Sequence, residues 1–199
     1  MRFLPLAVFI AILAALAFPL RAETARPQIV FQLSVKGTPA QVSRVQRLAK
    51  VAERVVNSEK YEQRTKAAWW KKGRKAYSYS SLTGAQVYQL NLDGAELKGA
   101  KDGVWGLVYE FKPQRRKCVF GKCSAWVNGW TYPSSKTVYF NSLIWEGRSD
   151  CGIVGTIVHE QQHKLGLSHP AKATADRPFS PPYTQGTIAA ELCPEFLAP

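Results

Sequence analysis

Apolar and polar residues recur with two different periods along the chain, and each period predicts a type of secondary structure. A period near 3.6 from Val42 to Val56 predicts an amphipathic helix over residues 39–64, with Thr38 as N-cap and Pro39 at its first position. Residues 118–127 are expected to form a strand pair or a hairpin edge, followed by a turn at 128–129. β-branched and aromatic runs with partial alternation predict further strands at residues 28–35, 87–92, 104–111 and 137–141.

A second helix is predicted towards the C-terminal end, with Ser149 or Asp150 as its cap. Because many of its residues are β-branched, it would be a mediocre isolated helix, and tertiary packing must stabilise it. Its apolar face consists of Ile153, Val154, Ile157 and Val158. The face predicted to line a cleft consists of Thr156, His159, Glu160 and His163.

All three histidines of the chain lie at the end of this helix or just after it. His159 and His163 are four residues apart, so a helix places both imidazoles on one face. Gly166 can take the left-handed conformation that ends a helix, and the turn brings His169 back as a third nitrogen ligand. Three neutral imidazoles leave the fourth position of a zinc ion to water, as in catalytic zinc sites. Glu160 lies one position round the helix, where it can reach that water.

The stretch from His159 to His169 resembles the extended H-E-x-x-H-x-x-G-x-x-H signature of the metzincin metallopeptidases, and every fixed position matches. The resemblance implies an α+β fold: a mixed twisted sheet with a long backing helix and an active-site helix. It implies a zinc metalloendopeptidase in which Glu160 acts as general base on a zinc-bound water. It also places at residues 124–129 the strand edge with which an extended peptide or protein substrate would pair.

The chain departs from the metzincin pattern in the methionine that gives the family its name. The only methionine is Met1, so the family's methionine turn needs another residue. Residues 179–186 contain prolines and a glycine and are the candidate for that turn. By the same resemblance, Tyr183 is a candidate oxyanion partner or fifth metal ligand; the alternative is a tyrosine packed on the tail.

The N-terminal segment is typical of a secretory signal peptide. Arg2 is followed by an apolar run over residues 4–20 and by the small residue Ala22, which predicts cleavage before Glu23. The expected organisation is a signal peptide over residues 1–22 and one catalytic domain over residues 23–199. An uncleaved anchor is the alternative, but the run is short for a membrane span. We therefore expect a secreted or periplasmic protein without a stable membrane anchor.

The chain is strongly basic, with a formal net charge of +13, and loss of Arg2 and Arg21 lowers this by two. The excess positive charge lies in residues 44–75 and 112–122. It predicts attraction to anionic cell surfaces, wall polymers or acidic substrates. The alternative is a basic surface that is only solvated. Residues 69–79 interleave basic and aromatic side chains, which is compatible with polymer binding or with a surface loop. No nucleic-acid-binding motif is visible, so no nucleic-acid partner is expected.

Four cysteines, an even number, predict disulfides in an exported chain. Three pairings are possible. The favoured one joins Cys118 to Cys123, closing a hairpin, and Cys151 to Cys193, tying the start of the second helix to the tail. A four-cysteine zinc site is the alternative, disfavoured by poor spacing and oxidising surroundings.

Two other functions compete with the peptidase. One is a non-catalytic zinc-containing protein that binds the cell envelope or acts as a toxin-like factor, suggested by the charge and the missing methionine. Glu160 argues against it, because a structural zinc site needs no carboxylate there. The other is an amidase acting on peptidoglycan peptides, which the sequence does not separate from an endopeptidase.

Overall fold

The structure is a computed structural model that describes residues 26–68, 77–120, 122–132 and 134–197. The predicted signal peptide, residues 1–22, and residues 69–76 of the basic and aromatic stretch lie outside this part of the chain. In chain order the elements are β1 (Val30–Lys36), α1 (Pro39–Val56), α2 (Glu59–Ala67), α3 (Gly84–Asp93), β2 (Val104–Lys112), β3 (Cys118–Val119), β4 (Lys122–Cys123), β5 (Gly129–Thr131), β6 (Thr137–Asn141), α4 (Asp150–Lys164), α5 (Pro181–Leu192) and α6 (Pro194–Leu197). Short 3₁₀ helices lie at Glu96–Lys98 and Arg177–Phe179.

Four strands form one mixed sheet in the order β1-β2-β6-β5. Strands β1, β2 and β6 are parallel, whereas β5 pairs antiparallel with β6 at the edge of the sheet. In β2, Trp105, Leu107 and Tyr109 are buried and alternate with more exposed residues, as a strand's period of two requires. Strands β3 and β4 form a separate antiparallel hairpin. The observed architecture is therefore a mixed α+β fold, which confirms the coarse fold class.

The hydrophobic core lies between the sheet and helices α1 and α4. Helix α1 buries Val45, Leu48, Ala52 and Val55 at helical spacing. The predicted apolar face of α4 is buried in the same cluster, together with Ile188 of α5. This packing fixes α4 behind the sheet and between two other helices.

The single helix predicted over residues 39–64 is wrong, because the chain breaks between α1 and α2. Asn57 turns its side chain towards the start of β1: its Oδ1 accepts a hydrogen bond from Ile29 N at 2.8 Å, and its Nδ2 donates to Ile29 O at 2.8 Å. Ser58 then caps α2, since its Oγ accepts from Tyr61 N at 3.2 Å. Asn and Ser side chains interrupt helices by competing for backbone groups in this way.

The strand predicted at residues 87–92 is also wrong, because this segment belongs to helix α3. Thr83 and Gln86 form a capping box: Thr83 Oγ1 accepts from Gln86 N at 3.3 Å, and Gln86 Oε1 accepts from Thr83 N at 2.8 Å. Gly94 ends the helix with φ 64°. Helical spacing relates the buried residues Val87, Tyr88 and Asn91 of α3. The capping box and Gly94, which mark the two ends of the helix, therefore outweighed the short alternation of apolar and polar residues.

Two predicted turns are corrected as well. Residues 179–186 contain the end of a 3₁₀ helix and the first half of α5, with Pro181 and Pro182 in the first helical turn, where a missing N–H costs nothing. Residues 128–129 do not turn the chain, because Gly129 begins strand β5. The strand pair or hairpin edge predicted over residues 118–127 is correct only for the β3–β4 hairpin, because residues 124–128 have no regular structure.

The structure joins Cys118 to Cys123 and Cys151 to Cys193, with S–S distances of 2.02 and 2.17 Å. This is the pairing that the sequence favours, and it leaves no free cysteine among the described residues for a four-cysteine metal site. The second disulfide ties the first turn of α4 to the end of α5. None of the helices in the described part of the chain is both long and apolar enough to span a membrane.

Candidate metal centre

Helix α4 carries two of the three histidines, and local interactions fix both of its ends. Ser149 caps the helix, since its Oγ accepts a hydrogen bond from Gly152 N at 3.1 Å. At the other end Gly166 adopts φ 85°, and Leu167 N donates to Gln162 O at 3.0 Å. This left-handed turn confirms the conformation predicted for Gly166 and returns the chain towards the helix at His169.

The three imidazoles converge. One potential ligand nitrogen from each of His159, His163 and His169 lies within 4.8 Å of the other two, and the three side chains can hold a metal ion. The Nε2 atoms of His159 and His169 are 3.2 Å apart. Two ligands of one tetrahedral zinc ion, each about 2.0 Å from the metal, are about 3.3 Å apart. The observed separation therefore fits a shared ion.

Backbone carbonyls orient the histidines. His163 Nδ1 lies 2.9 Å from Leu167 O, and His169 Nδ1 lies 3.0 Å from Pro170 O. His159 makes a hydrogen bond to the backbone of Pro182. A carbonyl oxygen only accepts, so Nδ1 of His163 and His169 carries the proton and Nε2 keeps its lone pair. Such contacts to the second ring nitrogen are typical of metal-binding histidines.

Burial keeps these rings in the neutral form that binds metals. It lowers the pKa of His163 to about 4, and it lowers the pKa of His159 well below the usual histidine range. In both rings neighbouring histidines also disfavour the positive form. Burial also lowers the pKa of His169. A set of three neutral imidazoles suits a divalent transition metal such as zinc.

Glu160 follows the first histidine and is 4% exposed at the floor of the cleft. Its Oε2 is buried and has no hydrogen-bond partner among the described residues. Burial raises the pKa of Glu160 to about 8, against the attraction of the Arg148 guanidinium, which favours the charged form. The structure thus brings the predicted carboxylate next to the histidines with one oxygen uncommitted.

Helices α4 and α5 touch backbone to backbone beside the site. A Cβ on Gly155 would lie 2.7 Å from Gly186 O, and a Cβ on Gly186 would lie 2.8 Å from Gly155 O and 3.0 Å from His159 Cβ. Only glycine permits so close an approach. The contact sets the distance of α5 from the candidate metal ligands.

This approach brings Tyr183 of α5 onto the histidines. Its ring centroid lies 4.7 Å from that of His159 and 4.8 Å from that of His169. The Arg177 guanidinium carbon lies 4.7 Å from the centroid of the Tyr183 ring, and the two side chains also hydrogen-bond. The Tyr183 ring therefore packs against two of the histidines and against Arg177 of the tail.

Polar contacts fix α4 to strand β2, to helix α3 and to the 3₁₀ helix at Glu96–Lys98. Lys164, 1% exposed, donates from Nζ to Gly106 O at 2.7 Å. Gln161 donates to Glu96 Oε1, which also accepts from Gly106 N at 2.7 Å. Gln162 Nε2 donates to Asn91 Oδ1 at 2.8 Å. These contacts limit rotation of the helix and hence of its two histidines.

The site opens into a cleft of about 1670 Å³. Residues 124–131, including the edge strand β5, form one side. At Gly129 a Cβ would lie 2.9 Å from Thr156 Cγ2, so glycine lets this strand approach α4. The charged residues that line the cleft are Arg148, Glu160, Lys164 and Arg177. Three of these four are cationic, so the cleft favours anionic groups.

The structure brings together every histidine predicted as a ligand, with Glu160 and Tyr183 beside them. The sequence reasoning missed Arg148, whose Nη2 donates to Gly152 O at 2.6 Å and Thr156 Oγ1 at 2.7 Å inside the cleft. The position of Arg177 in the cleft and the contact between Gly155 and Gly186 were also not predicted. Two glycines in separate apolar segments are a signal of close helix packing that could have indicated the contact.

Comparisons with protein-family models, curated proteins and solved structures find no match to this chain. Its function must therefore be argued from the chemistry and geometry of the site.

Proposed function

We propose that the chain is an exported zinc-dependent metallopeptidase of the metzincin type, hydrolysing peptide bonds of a peptide or protein substrate. The observation that carries the proposal is the convergence of His159, His163 and His169 within 4.8 Å, with buried Glu160 next to them. A structural metal site would be closed by a fourth protein ligand and would not need an uncommitted carboxylate. Within the described residues the ligand cluster contains histidines alone.

When bound, zinc supplies a Lewis acid that polarises the scissile carbonyl and acidifies the attacking water. Glu160 accepts the proton of that water at Oε2 and delivers it to the leaving amine. Burial favours the proton-carrying form of this carboxyl, whereas the cation of Arg148 favours the charged form, and the positive charge of a bound zinc ion would favour the charged, proton-accepting form further. Glu160 can therefore hold and release a proton within the same cleft.

Tyr183 and Arg177 supply a hydroxyl hydrogen-bond donor and a positive charge next to the histidines. The phenol is held by α5, and the guanidinium lies over its ring at 4.7 Å. Burial raises the pKa of Tyr183, so its hydroxyl stays protonated and remains a hydrogen-bond donor. We assign Tyr183 the stabilisation of the oxyanion and Arg177 the positioning of that ring.

Substrate binding is assigned to the cleft wall formed by residues 124–131. Strand β5 ends the sheet, so one of its edges has no strand partner within the described sheet. An extended peptide can add to such an edge and lie across the histidines. The mixed sheet, the backing helix α1 and the helix α4 together support the zincin-like interpretation of the fold.

Export is supported by the two disulfides, which are typical of oxidising compartments. The segment over residues 1–22 supplies the signal peptide in this proposal. The expected location is therefore secreted or periplasmic.

The decisive test measures metal content and cleavage on the same preparations. Parent protein should contain one zinc per chain and cleave casein in a chelator-sensitive manner. Glu160→Gln should keep the metal and lose about 10²–10⁴-fold in kcat/KM, because the proton acceptor is removed. His163→Ala should lose the metal. Glu195→Gln, an exposed carboxylate paired with Lys60, is the matched control and should change neither quantity.

Several results would contradict the proposal. Cleavage by Glu160→Gln at the parental rate would show that another group is the base. Chelator-sensitive cleavage of peptidoglycan without cleavage of casein would assign the site to a wall-peptide amidase. Stoichiometric zinc with cleavage of neither substrate would favour the non-catalytic binding protein.

A further inference from the structure

The segment between Glu110 and Glu146 contains no acidic residue. Its six cations are Lys112, Arg115, Arg116, Lys117, Lys122 and Lys136. All six are exposed, and none forms an ion pair with a carboxylate in the described part of the chain. A run of cations without ion-pair partners in the described structure produces a local positive potential.

The β3–β4 hairpin projects an apolar side chain from the middle of this charge. Phe120 is 100% exposed and has a left-handed φ of 47°. The disulfide between Cys118 and Cys123 closes the hairpin around it. The left-handed conformation costs free energy at a non-glycine residue, and so does the exposure of the whole phenylalanine ring to water.

Further apolar groups lie beside the hairpin on the rim of the cleft. Trp126 is 43% exposed and Val127 is 42% exposed, and both line the cleft. The Arg116 guanidinium carbon lies 5.0 Å from the centroid of the Trp126 ring. An aromatic ring with a cation over its face is suited to the boundary between polar headgroups and acyl chains.

We propose that these residues form a membrane-docking surface for bilayers that contain anionic lipid. The hairpin surface consists of Arg115, Arg116, Lys117, Phe120, Lys122 and Trp126. Its cations bind lipid headgroups, while Phe120 and Trp126 enter the interface. A soluble polyanion would use the cations but would give the exposed Phe120 nothing apolar to contact. Because Trp126 and Val127 also border the cleft, docking places the cleft mouth at the bilayer surface.

The test is binding to vesicles of phosphatidylcholine with or without phosphatidylglycerol. Parent and variants are purified from a host that exports them, and mass spectrometry establishes that they share one N-terminus. Parent should bind the anionic vesicles in a salt-sensitive manner. Each cation near an anionic bilayer contributes on the order of fivefold in affinity, so Arg115→Gln, Arg116→Gln and Lys117→Gln together should weaken binding by about 100-fold.

The apolar part of the proposal is tested by Phe120→Ser, which should weaken binding to anionic vesicles by about tenfold. The same variant should bind heparin beads as tightly as the parent does. Val30→Ser, at a residue 50% exposed on the opposite edge strand β1, is the control and should bind vesicles normally. The midpoint of thermal unfolding should be unchanged in both variants.

Parental vesicle binding by Phe120→Ser would overturn the proposal, and with unchanged heparin binding it would assign the surface to a soluble polyanion. Equal binding of the parent to neutral and anionic vesicles, or no binding to either, would also overturn it. Loss of vesicle binding in both the charge variant and Phe120→Ser supports it. None of these outcomes depends on peptidase activity.

Discussion

The candidate metal centre and the hairpin surface are both rich in polar side chains. These side chains are mostly hydrogen-bonded and largely buried at the metal centre but exposed to solvent at the hairpin surface. At the metal centre the rings of His163 and His169 are tied to backbone carbonyls, and Lys164 is buried against Gly106 O. At the hairpin surface the cations face solvent without carboxylate partners in the described structure. The first region depends on packing between distant segments, whereas the second depends on a short disulfide-closed loop. Substitutions at the candidate metal centre should therefore destabilise the fold, whereas substitutions of the exposed cations or of Phe120 should change only surface binding.

The two disulfides give the largest predicted contrast in stability. Cys151–Cys193 closes a loop with a sequence separation of 42, and Cys118–Cys123 one with a separation of 5. Loop-closure entropy predicts a loss of about 4 kcal/mol for replacing the first pair with serines and about 2 kcal/mol for the second. Urea unfolding of the two double variants measures both losses. Equal losses would show that the hairpin is as deeply coupled to the fold as the helices are.

The glycine contact provides the second test, at the metal centre alone. Gly186→Val should lower the free energy of unfolding by about 2–3 kcal/mol, because its side chain would overlap Gly155 O and push α5 from α4. Zinc affinity should fall with it. Gly147→Ala is the control, since the nearest atom to a Cβ there is 3.9 Å away. A stable Gly186→Val protein with parental zinc affinity would show that α5 does not set the ligand geometry.

Tyrosines in the two regions allow a matched comparison of chemistry. On the proposed function, Tyr183→Phe should reduce kcat by about 10- to 100-fold with little change in KM and none in metal content, since only the hydroxyl is removed. Tyr132→Phe, at a residue 58% exposed in the basic segment, should leave kcat unchanged. A parental kcat in Tyr183→Phe would assign the ring to packing alone.

The smallest predicted effect concerns Asp150, which connects α4 to α1. Arg44 Nη2 lies 2.8 Å and Arg47 Nη2 2.7 Å from its two oxygens. Burial of Asp150 opposes ionisation, but the hydrogen bonds from these arginines outweigh it and lower the pKa. Because the pKa is lower in the folded than in the unfolded state, the stabilisation is complete above the unfolded value of about 3.9 and is lost as the pH falls through the folded value.

Asp150→Asn should therefore lower the free energy of unfolding by about 1 kcal/mol at pH 7, and the difference from the parent should disappear in acid. Urea unfolding at neutral pH and near pH 3 measures both differences. A difference that persists unchanged in acid would show that the arginines do not act through the charge of Asp150.

Local signals were sufficient to predict the parts of the site that lie on one element. Ser149 and Gly166 mark the ends of α4, and the spacing of the histidines places their rings on one face. Strands β1, β2 and β6 were predicted within a few residues, since their runs of apolar residues are long and bounded by turns. In these segments local propensity and tertiary packing favour the same structure.

The remaining features depend on partners that are distant in sequence. The prolines of residues 179–186 suggested a turn, but docking on Gly155 makes the segment helical and brings Tyr183 to the histidines. Arg148 and Glu96 become part of the site only through contacts made by the folded chain. A single sequence indicates such residue types but not the surfaces that they meet.

The bond between Cys151 and Cys193 has a consequence for the order of maturation. It joins the helix that carries two histidines to the helix that carries Tyr183, so a thiol-reduced chain lacks a covalent brace around the site. Newly made protein in a reducing compartment should consequently capture zinc poorly, and oxidation should precede metal loading. On the proposed function, this disulfide would then keep the peptidase inactive inside the cell that makes it.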